Sequence, residues 1–407
     1  MIENIQISDY RSCTKTTFDL QPDLSVLIGP NGSGKTNVLN SCLLLRALTN
    51  EDIQYRNAIR RRGDIETANE STIKATFRLR EKKLILTANM KIVTDETNSD
   101  AVVDSTQSWY AKDFTGNSKR PKIPLMFSRY FLNKNKFRNF SPYHFFLEGH
   151  NEEEVPDSLA KAISEVADFL HNIKYFGASQ FTNPSLCPVS IEVEEEGDMR
   201  RGLGIRGIHN RFLYDLYGAR NTDDYDEFFN VIGPNGIGLI DEIRFTKIQT
   251  SSVKLDVRSG GKVRQSTRNK LLVIPQFLIG KNELSPNQLS EGTFKTITLL
   301  FYLMTEESSA LLIEEPEVCV HHGLLSSIVE LIKRYSKEKQ IIVSTHSDYV
   351  LDQIEPRHVF KVSRPKDIGT TVTQIQRGMS GDEIKALKDY LELEGNLGEY
   401  WRHGGFD

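Results

Sequence analysis

The chain has 407 residues, too many for one small domain and enough for a core with an appended lobe. Lys plus Arg number 51 against 55 Asp plus Glu, a net charge of −4 that argues against nucleic-acid binding over the whole surface but leaves room for a local basic face. The opening MIENIQISDYRS has no apolar leader, and no apolar run is long enough to span a bilayer, so a cytoplasmic protein with no membrane partner is expected. Cys13, Cys42, Cys187 and Cys319 are scattered, with neither a paired metal spacing nor a disulfide-rich pattern, and read as partly buried thiols in a reducing compartment.

The first ~50 residues read as strand, loop and helix. Met1 to Ser8 alternates weakly, Leu24 to Ile28 is a short apolar strand, and Thr36 to Leu48 is a helix with Val38, Leu39, Leu43 and Leu44 on its apolar face. Residues 72–93 form a hairpin around the charged turn Arg80-Glu81-Lys82-Lys83, and 95–150 read as polar and irregular. A helix is expected from Asp157 to His171, capped by Asp157 or Ser158, then a buried strand from Ile173 to Ala178. Helical pattern returns near 209–230, and strands at 242–257 and 270–279 are joined through Ser259-Gly260-Gly261. A helix from about Ser290, a strand at 310–314, a helix at 323–338 and a strand at 340–344 follow; strands near 358–362 and 370–376 and a helix near 381–393 close the chain. Strand–helix alternation at both ends of a polar middle implies one α/β core split by a long insertion. There is no internal repeat and no long heptad run for a coiled-coil arm.

The strongest motif is Gly29-Pro30-Asn31-Gly32-Ser33-Gly34-Lys35-Thr36, which fits G-x-x-x-x-G-K-[ST] between an apolar strand and a helix. Its glycines let backbone N–H groups face phosphates, and the helix start adds positive potential. Lys35 can reach β- and γ-phosphates, and the Thr36 hydroxyl can ligate Mg²⁺. A second run, Gly233-Pro234-Asn235-Gly236-Ile237-Gly238, lacks the Lys-Thr end and reads as a turn. Ala310 to Ile313 then delivers Glu314 and Glu315 to a strand end, where ligands bind in parallel α/β sheets. Neighbouring strand residues point to opposite sides, so Glu314 can hold a metal while Glu315 polarises water; an exposed acidic turn is the plainer reading of that motif alone. Ile341 to Ser344 ends in Thr345-His346-Ser347, where His346 can sense a γ-phosphate and help place water. Leu289-Ser290-Glu291-Gly292-Thr293 opens a helix, an anion site or simply a good cap.

In this order the four motifs resemble the Walker A, signature, Walker B and switch-histidine set of ABC ATPases. The LSEGT signature is closer to SMC-like and RecF-like proteins than to transporters. IEEPEVCVH followed by STHSDYVLD, with the opening YRSCTKTTFDL, resembles more narrowly the bacterial AAA-family ATPases related to overcoming-lysogenization-defect (OLD) nucleases, some of them subunits of Septu-type and PARIS-type anti-phage systems. The specific match covers residues 1–45 and 285–365.

The resemblance implies an α/β fold: an ABC-type P-loop core of mixed sheet and flanking helices, an antiparallel β lobe and an inserted α-rich lobe. The division expected is 1–95 for the N-terminal core, 96–235 for the insertion, 236–365 for the C-terminal core and 366–407 for a strand, helix and aromatic tail. It implies ATP and Mg²⁺ as cofactors and a head-to-tail dimer of this chain. Each ATP would lie between one chain's phosphate loop (Gly29, Asn31, Gly32, Ser33, Gly34, Lys35, Thr36, Asn37) and the other's Ser290 and Gly292. Thr36 and Glu314 would hold the metal, and Glu315, His346 and Lys35 would be catalytic. A glutamine loop is also implied, with Gln180 the leading candidate over Gln54 and Gln276, and Arg11 resembles a family arginine near the nucleotide. Two departures stand out: Glu314 occupies the metal position where transporters carry aspartate, and 61 residues follow His346, too few for the TOPRIM domain of an OLD nuclease. The expectation is an ATPase without nuclease activity in this chain that regulates a separate effector, a nuclease or toxin.

Weaker features include the basic and aromatic stretch 119–146, with Lys134, Lys136 and Arg138, which reads equally as a nucleic-acid surface or the rim of a small lobe. Arg60-Arg61-Arg62 and the hairpin from Arg258 to Lys270 are further basic candidates. The aromatic tail from Glu399 to Phe406 either packs on the core or docks a partner. Alternatives to the leading function are an SMC/RecF-like repair ATPase acting on DNA, a nucleotide-locked scaffold with little turnover, and a transporter subunit, the last disfavoured by the 252 residues between Thr36 and Leu289.

Overall fold

The computed structural model describes residues 1–49, 70–79, 84–94, 103–113, 126–128, 165–166, 168–194, 207–258, 262–305, 308–393 and 395–404. Two compact units emerge: Met1–Gly177, Glu307–Pro316 and Val329–Asp407 form the first, and Ala178–Glu306 with Glu317–Ile328 form the second.

In the first unit, strands β1 (Ile2–Tyr10) and β2 (Cys13–Asp19) meet in an antiparallel ribbon. The apolar strand β3 (Leu24–Ile28) is buried throughout and runs into helix α1 (Lys35–Thr49). Strands β4 (Glu70–Arg78), β5 (Leu84–Thr94), β6 (Val103–Asp113) and β7 (Met126–Ser128) extend the ribbon into a six-stranded sheet of order β2-β1-β4-β5-β6-β7, antiparallel at every pairing. The expected hairpin at 72–93 is therefore its middle, but 95–150 is not wholly irregular. VDSTQSWYAKD has too few apolar residues to show a strand by alternation, yet β6 pairs with β5 from Leu84↔Asp113 to Thr94↔Val103. The ladder of backbone bonds makes that strand, and composition does not announce it.

A second six-stranded sheet joins β3 to β8 (Ile173–Phe176), β13 (Ala310–Glu314), β14 (Gln340–Thr345), β15 (Val359–Ser363) and β16 (Thr371–Gln374). Its order is β16-β15-β3-β14-β13-β8. The pairs β15–β3, β3–β14, β14–β13 and β13–β8 are all parallel, and β16 is antiparallel. Side chains from both sheets and from α1, including Ile5, Phe77, Leu39, Cys42, Leu312 and Phe360, make one continuous core. The sheets are also joined by a polar clamp. Gln340, 2% exposed, accepts from Ile2 N at 2.9 Å and donates through Nε2 to Ile2 O and Gln21 O, both at 2.8 Å.

The second unit carries strand β9 (Ile191–Glu194) and helices α2 (Ile208–Ala219) and α3 (Asp223–Ile232). The run from Gly233 to Gly238 is a turn, as expected, tied to the end of α3 through Gly233 N to Phe229 O at 2.8 Å and Ile237 N to Val231 O at 2.7 Å. Strands β10 (Glu242–Arg258) and β11 (Lys262–Ile279) pair continuously from Glu242↔Leu278 to Arg258↔Lys262, longer than the alternation indicated. β12 (Asn282–Leu284) and β9 both join β11. Helix α4 (Glu291–Thr305) is buried continuously from Phe294 to Phe301 and again at Leu303 and Met304. A helix with apolar residues around so much of its circumference has to be enclosed in this way.

Helix α5 is His322–Tyr335, a short helix α6 is Asp348–Leu351, and α7 (Ile375–Gly378), α8 (Gly381–Leu393) and α9 (Leu397–Arg402) end the chain. The aromatic tail packs on the first unit: Arg402 pairs with Asp348, and Gly398 N donates to Asp352 Oδ1 at 2.8 Å. Asp157 to Ser164, the stretch 129–146, Arg60-Arg61-Arg62 and Gln54 lie outside the described residues. All four cysteines are free, with Cys319 exposed and the other three buried. Among the described residues, no helix is long and apolar enough to cross a membrane.

Replacing Gln340 by leucine should strand the N–H and C=O of Ile2 and cost about 2 kcal/mol. A lower urea midpoint is the expected readout, and an unchanged midpoint would show that the clamp contributes nothing.

Candidate functional site: a phosphate loop facing two strand-end carboxylates

Parallel pairing brings three loops to one sheet edge. Thr345↔Ile28 and Glu314↔Ser344 are neighbours across β3, β14 and β13, so the chain leaves all three strands on the same side. The loop after β3 carries Gly29 to Gly34, that after β13 carries Glu315, and that after β14 carries His346.

The phosphate loop is shaped by close backbone approach. Gly34 has φ +106°, and a Cβ there would lie 2.1 Å from Thr370 Oγ1. Gly29 sits so near β15 that its Cβ would lie 2.1 Å from Val362 O. Side chains larger than hydrogen cannot occupy these positions without moving the wall of the site. Asn31 and Gly32 are exposed, while Ser33 is buried with an Oγ that has no hydrogen-bond partner among the described residues. An orphaned hydroxyl beside open amides and a helix start fits a phosphate oxygen. A polar network holds the loop from behind. Arg11 Nη1 donates to Asn37 Oδ1 at 3.0 Å, Asn37 Nδ2 to Ser12 Oγ at 2.6 Å, and Thr370 Oγ1 approaches Ser12 Oγ at 2.7 Å and Ser33 O at 3.0 Å.

Lys35 is 6% exposed, and its ammonium donates to Gly29 O at 2.7 Å and Pro30 O at 3.2 Å. It also stands 3.4 Å from His346 Nδ1. An ammonium can only donate, so Nδ1 accepts and the imidazole proton sits on Nε2, 2.8 Å from Glu315 Oε1. Glu315 has φ +47°, a left-handed backbone that costs a non-glycine residue about 1 kcal/mol or more. Its N–H donates to Ser344 O at 2.8 Å, pinning the strained residue to β14. Glu314 is gripped at both oxygens: Thr36 Oγ1 donates to Oε1, and Tyr175 Oη donates to Oε2 at 2.5 Å. Among the described residues no cluster of three His, Cys, Asp or Glu forms a protein-only cage. The oxygen pair of Thr36 and Glu314 suits Mg²⁺, which keeps phosphate and water for its remaining positions.

Gln180, Ser290 and Gly292 lie in the second unit. Gln180 is in a turn four residues after β8, next to Phe181 at φ +61°. Ser290 caps α4, accepting from Thr293 N at 3.2 Å. A Cβ on Gly292 would lie 2.4 Å from Cys319 O. Lys295, fully buried, donates to Ala178 O at 3.1 Å and Val318 O at 3.0 Å, so the helix behind the signature holds both the Gln180 turn and the segment after Glu317. Phe181 and His209 pack on Phe294, the imidazole stacked at 5.7 Å, and burial pushes the His209 pKa down.

Sequence reasoning missed Tyr175, Thr370, Ser12 and Lys295. Only Lys295 left a trace, as a lone charge in the apolar run FKTITLLFYLM. Gln276 lies on β11, whose partner at that point is Arg244.

Two family models match the chain. One, described as an AAA ATPase domain, covers residues 1–185, and the other, described as an AAA domain, putative AbiEii toxin, Type IV TA system, covers 197–352. A stretch of 70 residues, 17% of this chain, is 36% identical to the DNA replication and repair protein RecF of Corynebacterium jeikeium (strain K411), and spans 16% of that protein's length. Among solved structures, an SMC head bound to the C-winged helix domain of ScpA matches with a TM-score of 0.51 at 14% identity, covering 95% of this chain and 99% of that one. The fold resembles the SMC-head P-loop ATPase fold, and over residues 1–185 and 197–352 the chain is similar to ATPase domains of the AAA type.

Gly292→Ala tests the packing of the signature. Alanine favours a helix over glycine by about 1 kcal/mol, but the contact with Cys319 O opposes it. A lowered thermal midpoint is expected; a raised one would show that the 317–320 segment yields freely.

Proposed function

We propose that this chain binds ATP with Mg²⁺ and hydrolyses it at a composite site completed by a second copy of itself. What carries the reading is the meeting, at the mouth of a parallel sheet, of the hydrogen-bonded chain Lys35, His346 and Glu315 with the hydrogen-bonded pair Thr36 and Glu314. The backbone N–H groups around Gly32 and Gly34 and at the start of α1 receive the phosphates, with Asn37 steadying the loop. Lys35 turns from its two carbonyls to the β- and γ-phosphates. Thr36 and Glu314 would hold a magnesium ion, which when bound would supply positive charge beside the phosphates. Glu315 takes the proton of the attacking water, and His346 orients that carboxylate through Nε2–H while facing the γ-phosphate. Ser290 and Gly292 of a second chain would close the site at the start of its α4.

Two settings have support. The family description over 197–352 names a putative AbiEii toxin of a Type IV TA system, which is the support for a toxin–antitoxin or anti-phage setting; in that setting this chain would gate a separate effector, a nuclease or toxin. The RecF match and the SMC-head fold favour an ATPase acting on DNA. Turnover that rises with duplex DNA alone would select the second setting. Co-purification with a nuclease or toxin encoded alongside would select the first.

Glu315→Gln should keep ATP binding and lower hydrolysis at least about 100-fold. If wild type and variant show equal absence of turnover, with DNA and partner present, the chain is a nucleotide-locked scaffold instead. The composite site has its own check. Lys35→Ala and Ser290→Arg chains, each inactive alone, should recover activity on mixing, because a mixed dimer holds one intact site. No recovery would place the whole reaction within a single chain.

A further inference from the structure

The carboxylate of Glu314 is one methylene longer than an aspartate and has one more bond to rotate. A metal-holding group gains from having that freedom removed before the ion arrives. The structure supplies two restraints, one on each oxygen. Thr36, the phosphate-loop hydroxyl, donates to Oε1. Tyr175 donates to Oε2 at 2.5 Å and belongs to no motif.

The placement of Tyr175 follows from the sheet. β8 runs parallel to β13 in the register Leu312↔Tyr175 and Ile313↔Phe176. Residues two apart share a face, so Tyr175, opposite Leu312, lies on the face from which Glu314 projects. Its ring packs against the core of the first unit while its hydroxyl reaches the strand end. Gly177 closes the other side: a Cβ there would lie 3.0 Å from Cε1 and 3.1 Å from Oη of Tyr175. The glycine leaves room for the ring in the one place from which the phenol meets the carboxylate.

We propose that Tyr175 is a positioning residue for the metal: by donating to Oε2 it fixes the Glu314 carboxylate and leaves Oε1 for Thr36 and the ion. This rests on the ATPase reading above. In this role the hydroxyl is spent on Glu314, not on the nucleotide or the attacking water. It acts through Glu314, and it restrains the additional rotation that a glutamate brings to this position.

The test uses the full chain, a non-hydrolysable ATP analogue, and Mn²⁺ as a paramagnetic probe read by electron spin resonance. Tyr175→Phe keeps the ring and removes the hydroxyl. It should weaken Mn²⁺ binding to the analogue-loaded protein about tenfold, with analogue affinity in EDTA and the thermal midpoint unchanged. Gly177→Ala, which pushes the ring and not the carboxylate, should weaken Mn²⁺ in the same direction. In a Glu314→Asp background the shorter carboxylate is out of reach of the phenol, so Tyr175→Phe should then change Mn²⁺ affinity by about twofold at most. If wild type binds the analogue and Mn²⁺ but Tyr175→Phe matches it, the positioning role is overturned and the ATPase reading stands. If Tyr175→Phe weakens the analogue equally in EDTA, or lowers the thermal midpoint, the tyrosine is structural and the proposal is again overturned. If wild type itself takes up neither analogue nor Mn²⁺, both readings fall together.

Discussion

Parallel strands end on the same side, and the site is built on that constraint. β3, β14 and β13 are adjacent and in register, so a loop that can receive phosphate, an imidazole and a pair of carboxylates leave the sheet within hydrogen-bonding reach of one another. Antiparallel pairing would have sent every second loop to the far edge. The neighbours on each flank serve this edge too. β15 backs onto Gly29, Thr370 before β16 props Ser33 and Gly34, and β8 on the other flank brings Tyr175 to Glu314.

Charge is handled with equal economy. The two most deeply buried lysines among the described residues, Lys35 and Lys295, lie one in each unit, and both are held by backbone carbonyls. For Lys35 that makes sense beside a site for phosphate, where a stronger anion would displace Gly29 O and Pro30 O. For Lys295 the same arrangement ties two chain segments together through one nitrogen, Ala178 on one side and Val318 on the other. Glu315 adds strain of a different kind, a left-handed residue locked between Ser344 and His346.

Much of this is legible in the amino-acid sequence. β3, β13 and α8 have the limits that apolar runs and helical spacing indicate, because each is short, strongly patterned and bounded by turn residues. Lys35, Thr36, Glu314, Glu315 and His346 were legible because each sits in a contiguous strand-and-loop string. Tyr175, Thr370 and Gln340 were not, because their roles depend on which strands become neighbours, and that information is spread over the whole sequence. Strand β6 was missed for a related reason: its evidence is a partner strand, not its own alternation.

The clamp at Gln340 also bears on how the chain emerges from a ribosome. Ile2 opens the first sheet and makes its bonds to a residue 338 positions later, and β3 waits for β14 and β15 on either side. At roughly 5–20 residues per second, β3 spends on the order of 15–65 s without its strand partners. The second unit draws most of its residues from one continuous stretch, Ala178–Glu306, available well before then. The parallel sheet is thus the last part that synthesis allows to close, and β3, apolar at four of its five residues, is the segment left longest without its neighbours.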